Sequence, residues 1–254
     1  MAFPTASTAL QLYLTKLRGR MEIMHAEGQA LLNLPASPRQ VAARREVTRL
    51  VTPIDCVCLV AEGSIARFAQ LDDGRRQLIA IQLPGDMADL HSLVLPTRSA
   101  QLVALSASTI FLIPHAALRE LCVRYPNLSL GLWQDCVIDG QIIAQWLVNA
   151  GRRTARERVA HLLCELALRY WSIGRLENGQ FPMTMTQEQM ADALGLTSVH
   201  VNRSLKALRE DGLVKATRGI VAILDWERLA SAAEFEPAYL HLSAELPERS
   251  RATR

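Results

Sequence analysis

The chain has 254 residues, half of them hydrophobic, and a formal net charge of +3. This length allows one large or two modest domains with a buried core, and the weak positive charge does not by itself indicate a nucleic-acid partner. No apolar run is long enough to cross a bilayer, and basic residues interrupt the early leucines where a secretion signal needs an unbroken apolar core. We therefore expect a soluble, cytoplasmic protein without a membrane partner, whose five cysteines are reduced thiols.

The N-terminal part of the chain changes from a helical to a strand-like pattern. Residues 1–8 are expected to be disordered, and residues 9–34 have the apolar spacing of helix. From about 41 to 114, short apolar runs alternate with turn residues, and Asp72-Asp73-Gly74 is typical of a hairpin because Asp and Gly tolerate positive φ. The predicted strands are Val57–Val60, Ile65–Ala69, Gln77–Leu83, Gln101–Leu105 and Thr109–Ile113. Short strands at this spacing indicate a β-sandwich or roll.

Two helices are predicted after the strands. The first is His115–Tyr125, and the second, Asn127–Asn149, is followed by a candidate hinge at Ala150-Gly151. The second helix has one broad side with more large apolar residues than a water-facing helix carries. Part of that side is expected to pack on the chain's own strands, and the rest is expected to form a seam with a second copy of the chain. The predicted seam residues are Trp133, Val137, Ile142 and Trp146.

Helical patterns return after this candidate hinge. One helix begins at Thr154, and a second, short helix begins at Thr186, which has a glutamine three positions on and so forms a capping-box pattern. Gly195 then allows a sharp turn, and Thr197 or Ser198 caps a third helix. The apolar positions of that third helix are Val201, Leu205 and Leu208. Their spacing places them on one face, which is expected to pack inward.

The opposite face of the third helix is polar and cationic, and with the preceding turn it predicts a helix-turn-helix. An α-helix fits the major groove of DNA, where arginine can bond guanine and asparagine can bond adenine. The alternative is an ordinary helical hairpin with a solvated basic face. The residues predicted to read bases are Ser198, Val199, His200, Asn202 and Arg203. The residues predicted to hold phosphates are Thr186, Gln187, Thr197, Lys206 and Arg218.

A wing and a tail are predicted to complete the chain. Residues 213–216 and 220–224 predict two short strands around Thr217-Arg218-Gly219, which is the pattern of a wing. The tail after Asp225 contains further apolar residues, and these are expected to pack back on the wing.

In this order, a strand-rich roll, a long helix and a winged helix resemble the Crp/Fnr family of bacterial transcription regulators. The best-matching segments are Thr186–Val214 and Leu83-Pro84-Gly85-Asp86, with Arg98-Ser99-Ala100 downstream. The resemblance implies an α+β fold: an N-terminal, cyclic-nucleotide-binding-like β-roll (a double-stranded β-helix or jelly roll), a long dimerisation helix and a C-terminal winged helix-turn-helix. The predicted domains are 9–125 for the N-terminal helices and sensory roll, 126–150 for the dimerisation helix, 151–228 for the winged helix-turn-helix and 229–254 for the tail.

The resemblance also implies binding partners and a residue that reads a DNA base. A homodimer would place one recognition helix in each half-site of a palindromic promoter sequence, and the two half-sites would lie about one helical turn, or ~34 Å, apart. RNA polymerase is expected as a further partner. Arg203 matches the family's guanine-reading arginine. Val199 stands where the family often has glutamate, so the family's base preference is not carried over.

The roll of this family often binds a cyclic nucleotide, through a Gly-Glu pair, an Arg-Ser pair and hydroxyl groups on the long helix. Arg98-Ser99 matches the phosphate-binding pair, but Asp89-Leu90 stands at the Gly-Glu place. The candidate residues of an effector pocket are therefore Asp89, Arg98 and Ser99. Residues 141–149 contain neither serine nor threonine. We therefore expect an effector other than cyclic AMP, and Arg98 has the alternative use of pairing with Asp89 or Asp86 to hold its loop.

Other cofactors and functions find little support in the sequence. No cysteine precedes Cys56, so the N-terminal cysteine set that holds an iron–sulfur cluster in Fnr-like proteins is missing and no cluster is expected. Cys56 and Cys58 are either a redox pair or small buried hydrophobic residues, and no histidines have metal-ligand spacing. The predicted function is a sequence-specific, DNA-binding transcription regulator without catalytic residues. The alternatives are a cupin-like metal enzyme and a ligand-sensing protein-interaction module.

Overall fold

The computed structural model describes residues 4–47, 54–70, 72–74, 76–96, 100–217 and 219–242. The chain forms two compact units, residues 1–140 and residues 141–254. Within the described residues, none of the helices is long and apolar enough to cross a membrane.

Unit 1 contains a roll made of two three-stranded antiparallel sheets. The strands are β1 (Ser37–Val41), β2 (Cys56–Glu62), β3 (Ile65–Gln70), β4 (Arg76–Gln82), β5 (Gln101–Ala104) and β6 (Ser108–Pro114). One sheet has the order β1-β6-β2 and the other has the order β4-β3-β5. The five predicted strands are confirmed within one or two residues at their ends. β1 was not predicted, because four of its five residues are exposed and give no apolar signal.

Two turns of the roll depend on glycine. Gly74 follows Asp72 and Asp73 between the antiparallel strands β3 and β4 and has φ +85°, so the predicted hairpin turn is confirmed. Gly63 joins β2 to β3 with φ +76°, and a Cβ atom there would lie only 2.3 Å from Ser108 Oγ and 2.6 Å from the carbonyl oxygen of Ala107. A side chain at position 63 would therefore force this corner of the roll to move.

Helices cover one face of the roll. They are α1 (Ala6–Arg18), α2 (His25–Leu32), α3 (His115–Arg124) and the first part of α4 (Pro126–Arg152). α1 begins before the predicted position 9, because the Thr5 hydroxyl accepts a hydrogen bond from the Thr8 backbone N–H and caps an additional turn. The prediction that residues 6–8 are disordered is therefore wrong. The apolar face of α1 lies in the same buried cluster as side chains of β2 and β6.

The turn after β4 is held from two sides by its aspartate. Asp86 Oδ2 accepts a hydrogen bond from the Leu83 backbone N–H at 2.8 Å, and Asp86 Oδ1 lies 2.7 Å from Lys16 Nζ of α1. Asp135 of α4 lies 2.7 Å from the same lysine nitrogen. This buried ion network fixes the Leu83-Pro84-Gly85-Asp86 turn to the helical layer, which is a structural use for the segment.

The helix α4 ends later than predicted. It continues through Ala150 and Gly151 to Arg152, whereas the predicted helix ended at Asn149 before a candidate hinge. The next helix starts after Thr154, whose hydroxyl accepts from the Glu157 backbone N–H while the Glu157 carboxylate accepts from the Thr154 backbone N–H. This capping box fixes the start of the helix. The two helices are separated by the non-helical residues Arg153 and Thr154.

Unit 2 is a winged helix-turn-helix with a C-terminal tail. Its elements after α4 are α5 (Ala155–Trp171), β7 (Gln180–Pro182), α6 (Gln187–Leu194), α7 (Ser198–Glu210), β8 (Val214–Thr217), β9 (Ile220–Ile223), α8 (Trp226–Ala233) and a short 3-10 helix (Pro237–Leu240). The two predicted wing strands pair as β8 and β9, and β7 adds a third strand in the order β7-β9-β8. The predicted α+β fold class is confirmed.

The tail packs on α5, which corrects its predicted packing on the wing. α8 lies along α5, and Phe235 and Tyr239 make ring contacts with His161 of that helix. α5 has buried residues around much of its circumference, including His161 and Glu165, which are fully buried. A helix buried in this way needs partners on several sides, and the tail supplies one of them.

Candidate nucleic-acid interface

The helix-turn-helix is defined by local capping and by one left-handed residue. Thr186 Oγ1 accepts from the Gln189 backbone N–H at 3.2 Å, and Gln189 Oε1 accepts from the Thr186 backbone N–H at 2.8 Å. Gly195 ends α6 with φ +62°, and Thr197 then caps α7 by accepting from the His200 backbone N–H. Each of these contacts spans a few residues, so the sequence pattern was sufficient to predict both helices and the turn.

α7 has one buried and one open face, as its spacing predicts. Val201, Leu205 and Leu208 are buried, and Ser204 is buried beside them. The exposed side chains include all five predicted base-reading residues and four of the predicted phosphate-binding residues: Ser198, Val199, His200, Asn202, Arg203, Thr186, Gln187, Thr197 and Lys206. The fifth predicted phosphate-binding residue, Arg218, lies outside the described residues.

Hydrogen bonds organise part of this open face. Asn202 Nδ2 donates to Gln187 Oε1 at 3.2 Å, which brings a predicted base-reading residue next to a predicted phosphate-binding residue. His200 Nδ1 lies 3.2 Å from Thr197 Oγ1. The Arg203 side chain makes no hydrogen bond or ion pair with any other residue that the structure describes. Its guanidinium is therefore available to a ligand without breaking an internal contact.

The cationic groups of α7 are only weakly compensated. Lys206 Nζ lies 3.6 Å from Glu210 Oε1, and both side chains are mostly exposed to solvent. An exposed pair at this spacing on a helix contributes only ~0.3–0.5 kcal/mol. A phosphate oxygen could therefore replace Glu210 as the partner of Lys206 at little cost.

The predicted seam residues of α4 fall into two groups. Trp133 is 69% exposed and Val137 is 47% exposed in the single chain, so both have surface to offer a partner. Ile142 and Trp146 are only 6% and 8% exposed, because they are buried within the chain itself. The Trp146 indole N–H also donates to Glu165 at 2.9 Å. The assignment of Ile142 and Trp146 to a seam is therefore corrected, since neither has enough free surface to bury against a second copy.

The exposed side of α4 instead has a heptad-like stripe. Its positions alternate three and four residues apart, which is the spacing of a two-stranded coiled-coil seam. The exposed residues at these positions are Leu130, Trp133, Val137, Gly140, Ala144, Leu147 and Gly151. A count of this period along the sequence could have found Leu130, Ala144 and Leu147, which were not among the predicted seam residues.

Comparison with known proteins agrees with the two-part architecture. A family model described as a cyclic nucleotide-binding domain matches residues 38–125, and one described as a Crp-like helix-turn-helix domain matches residues 157–232. The transcriptional activator protein FnrL of Cereibacter sphaeroides is 30% identical over 184 residues, which cover 69% of this chain and 72% of FnrL.

The chain belongs to the Crp/Fnr family.

Two further relatives support this membership. The nitrogen fixation regulation protein FixK of Azorhizobium caulinodans is 30% identical over 158 residues, covering 62% of this chain and 63% of FixK. The solved structure of FixK2 from Bradyrhizobium japonicum superposes with a TM-score of 0.69 and 26% identity, and the match covers 78% of this chain and 98% of FixK2. The chain is a DNA-binding transcription regulator of the Crp/Fnr type and not an enzyme.

The Crp/Fnr roll of this chain uses its candidate effector residue for folding. Asp89 is buried, and its Oδ1 atom accepts a hydrogen bond from the Cys58 backbone N–H at 2.8 Å. This carboxylate binds the backbone of strand β2 inside the roll, which is a structural use for Asp89. The other two candidates, Arg98 and Ser99, lie outside the described residues.

The cysteines and metal-binding residue types form no recognisable centre in the part of the chain that the structure describes. None of the five cysteines forms a disulfide bond, and no group of three potential metal ligands is brought together there. Cys58 is fully buried and Cys56 is half-buried on β2. Cys58 lies in an apolar cluster of the roll, which agrees with its interpretation as a small hydrophobic residue.

Proposed function

We propose that this regulator binds inverted-repeat promoter DNA as a homodimer, with one α7 helix in the major groove of each half-site. The observation that carries the proposal is the open face of α7, where all five base-reading candidates are exposed together and Arg203 has no internal partner among the described residues. Guanidinium groups in the major groove bond guanine bidentately. A homodimer explains how this short helix reaches enough DNA to be specific, since one helix reads only a few base pairs.

The roles of the side chains follow from their positions on the helix-turn-helix. Arg203 is the main base-reading residue, and Asn202 and His200 lie beside it with Ser198 and Val199 at the start of the helix. Thr186, Gln187 and Thr197 lie at the start of α6 and α7, where backbone N–H groups also favour phosphate. Lys206 and Arg218 add phosphate contacts from α7 and from the wing.

The dimer seam is proposed to be the exposed stripe of α4. Leucine, tryptophan and valine at alternating spacings of three and four match the core positions of a coiled coil. Glycine and alanine between them allow two helices to approach closely. A promoter-bound dimer of this type acts where the chromosome and RNA polymerase are, so we place it in the cytoplasm with RNA polymerase as its further partner.

The proposal is tested by identifying the operator and then measuring affinity as a function of salt. Genome-wide capture of bound DNA supplies candidate promoters, and gel-shift titration compares the recovered inverted repeat with a scrambled duplex of equal composition. We expect tight, specific binding whose log affinity falls steeply and linearly with log salt concentration. Equal affinity for the repeat and the scrambled duplex would refute sequence-specific binding.

A further inference from the structure

A single arginine of α5 joins the ends of two other helices in unit 2. Arg158 Nη2 donates to the Ala150 carbonyl at 2.8 Å, Nη1 donates to the Leu194 carbonyl at 3.0 Å, and Nε donates to the Arg153 carbonyl at 2.8 Å. Ala150 lies in the last turn of α4, and Leu194 is the last residue of α6. Carbonyl groups in a last turn lack helical partners and form the negative end of the helix dipole, so a cation is well placed there.

One and two turns further along α5, two buried polar residues contact α4 and the tail. Glu165 Oε2 accepts from the Trp146 indole N–H at 2.9 Å and from the Tyr239 hydroxyl at 3.1 Å. Arg169 also donates to Glu165, at 3.2 Å, and supplies a compensating charge. Burial raises the pKa of the Glu165 carboxyl, and the Arg169 charge and the two other donors oppose that rise.

The second of these residues, His161, is held in one orientation. Arg153 Nη1 donates to Asn149 Oδ1 at 2.8 Å, so the Asn149 amide nitrogen faces His161 Nδ1 at 3.2 Å. The imidazole therefore accepts at Nδ1. Its ring contacts Phe235 edge-on at 5.0 Å and stacks on Tyr239 at 6.0 Å between centroids.

Three side chains, Arg158 and Glu165 of α5 and Tyr239 of the tail, form what we call the α5 brace. Together they connect α5 to the C-terminal part of α4, to the turn of the helix-turn-helix and to the tail. The hydrogen bonds of Glu165 to Trp146 and Tyr239 are buried, and moving one partner there leaves a polar group unsatisfied. The three bonds of Arg158 lie nearer the surface and add directional links to the ends of α4 and α6. Apolar packing alone would allow α4 to slide or rotate against α5 at lower cost.

The same compact unit contains part of the exposed stripe. Ala144, Leu147 and Gly151 lie on α4 within residues 141–254, as does the recognition helix α7. The direction of α7 relative to this part of the stripe is therefore set inside one unit, by the contacts that hold α4 to α5 and α5 to the turn before α7.

We propose that Arg158, supported by Glu165 and Tyr239, is a positioning element that fixes the spacing of the two recognition helices and so the half-site spacing that the dimer accepts. This inference rests on the proposed function, since it requires a dimer on an inverted repeat. None of these side chains is expected to contact a DNA base. They act by holding α7 in a fixed direction from the seam.

The test compares a full operator with a single half-site. Full-length wild type and Arg158→Met are titrated on the inverted repeat, on a duplex with one half-site scrambled, and on repeats with the spacer changed by one or two base pairs. We expect Arg158→Met to weaken binding to the full repeat about tenfold, the effect of roughly one net hydrogen bond to a charged group, and to change half-site binding much less. We also expect it to lose much of the preference for one spacer length.

Two further variants keep the test decisive. Arg156→Met removes a cation two residues earlier on α5, where Arg156 pairs with Asp211 on the surface, and is expected to leave the spacer preference unchanged. Tyr239→Phe keeps the aromatic ring and removes only the donor to Glu165, so it reports on the brace even if Arg158→Met fails to fold. It is expected to broaden the spacer preference in the same direction, with a thermal unfolding midpoint close to that of the wild type.

The outcomes separate this inference from the proposed function. Equal losses on the full repeat and the half-site, with an unchanged spacer preference in both variants, would show that the brace only stabilises the fold. If the wild type itself shows no preference for an inverted repeat, the proposed function fails first. A wild type that prefers one spacing, with variants that keep that preference, would overturn the positioning role alone.

Discussion

Leu147 provides the sharpest test of the α4 stripe. Its side chain is 73% exposed in the single chain, and it lies on the heptad-like stripe in the C-terminal part of α4. Replacement by alanine keeps the helix, because alanine has the highest helix propensity. The change also removes little packing inside the chain, so its main effect should fall on association with a second copy.

The size of the effect follows from the apolar surface removed. Leucine has three more carbons than alanine, each buried methylene contributes ~0.8 kcal/mol, and a two-fold dimer loses both copies. Complete burial would then be worth ~5 kcal/mol per dimer. Only the exposed 73% of Leu147 remains to be buried by a partner, so the expected loss is ~3.5 kcal/mol, or roughly three-hundredfold in the dimer dissociation constant.

Sedimentation equilibrium over a range of nanomolar to micromolar concentrations measures this constant for wild type and Leu147→Ala. The matched control is Val123→Ala, because Val123 is 84% exposed on α3 but does not belong to the stripe. The control should dimerise like the wild type. A dissociation constant that is the same for all three proteins, or a wild type that stays monomeric, would refute the assignment of the seam to this stripe.

Three further predictions concern DNA reading and pH. Arg203→Ala is expected to cost ~1–3 kcal/mol on the operator and to relax the preference at one base pair in competition gel shifts, whereas equal losses on operator and random duplex would contradict base reading. Lys206→Ala should weaken binding to both duplexes similarly and lower the salt slope by about one, and an unchanged slope would exclude a phosphate contact. Burial, with a smaller effect of Arg153, lowers the pKa of His161 from 6.5 to about 3, so between pH 7.5 and 5 the unfolded chain takes up a proton that the folded chain does not. Stability should therefore fall by ~2 kcal/mol over that interval because of His161. The raised pKa of the Glu165 carboxyl has the opposite effect, because its contribution to the free energy of unfolding is lost as pH rises. The effect of His161 is therefore isolated by comparing wild type with His161→Gln in denaturant unfolding at both pH values. Identical pH dependence in the two proteins would contradict a neutral, buried His161.

The helix-turn-helix and most of the roll could be predicted because their signals are local. Capping residues such as Thr186, the left-handed Gly195 and the Asp-Gly hairpin turn each act within a few positions of the chain. β1 was missed for the same reason. Its exposed residues carry no apolar alternation, and only pairing with β6 makes the segment a strand.

The sides of α4 could not be assigned from apolar character alone. Large apolar residues occupy both sides of the helix, so Trp133 and Trp146 have equal weight in the sequence. The fold separates them, because α5 supplies a buried acceptor for the Trp146 indole at Glu165, whereas Trp133 stays exposed. The signal that distinguishes the exposed side of α4 from its buried side is the regular alternation of three- and four-residue spacings along the exposed stripe.

The α5 brace had no signal in the sequence. Arg158 binds backbone carbonyls, and these are present at every residue whatever the side chain. Glu165 and Tyr239 are 74 residues apart, and their contact depends on the tail folding onto α5. Asp89 shows the same limit, because its hydrogen bond to the Cys58 backbone joins positions 31 residues apart and leaves no pattern in the sequence.

The most direct test of the account is selection of bound sequences from a random duplex library by the purified full-length chain. Two recognition helices held in a two-fold dimer should enrich one inverted repeat whose half-site centres lie about 10 base pairs apart, and Arg203→Ala should lose information at one symmetric pair of positions in that repeat. Enrichment of a single unrepeated motif, of repeats with no fixed spacing, or of no motif at all would contradict it.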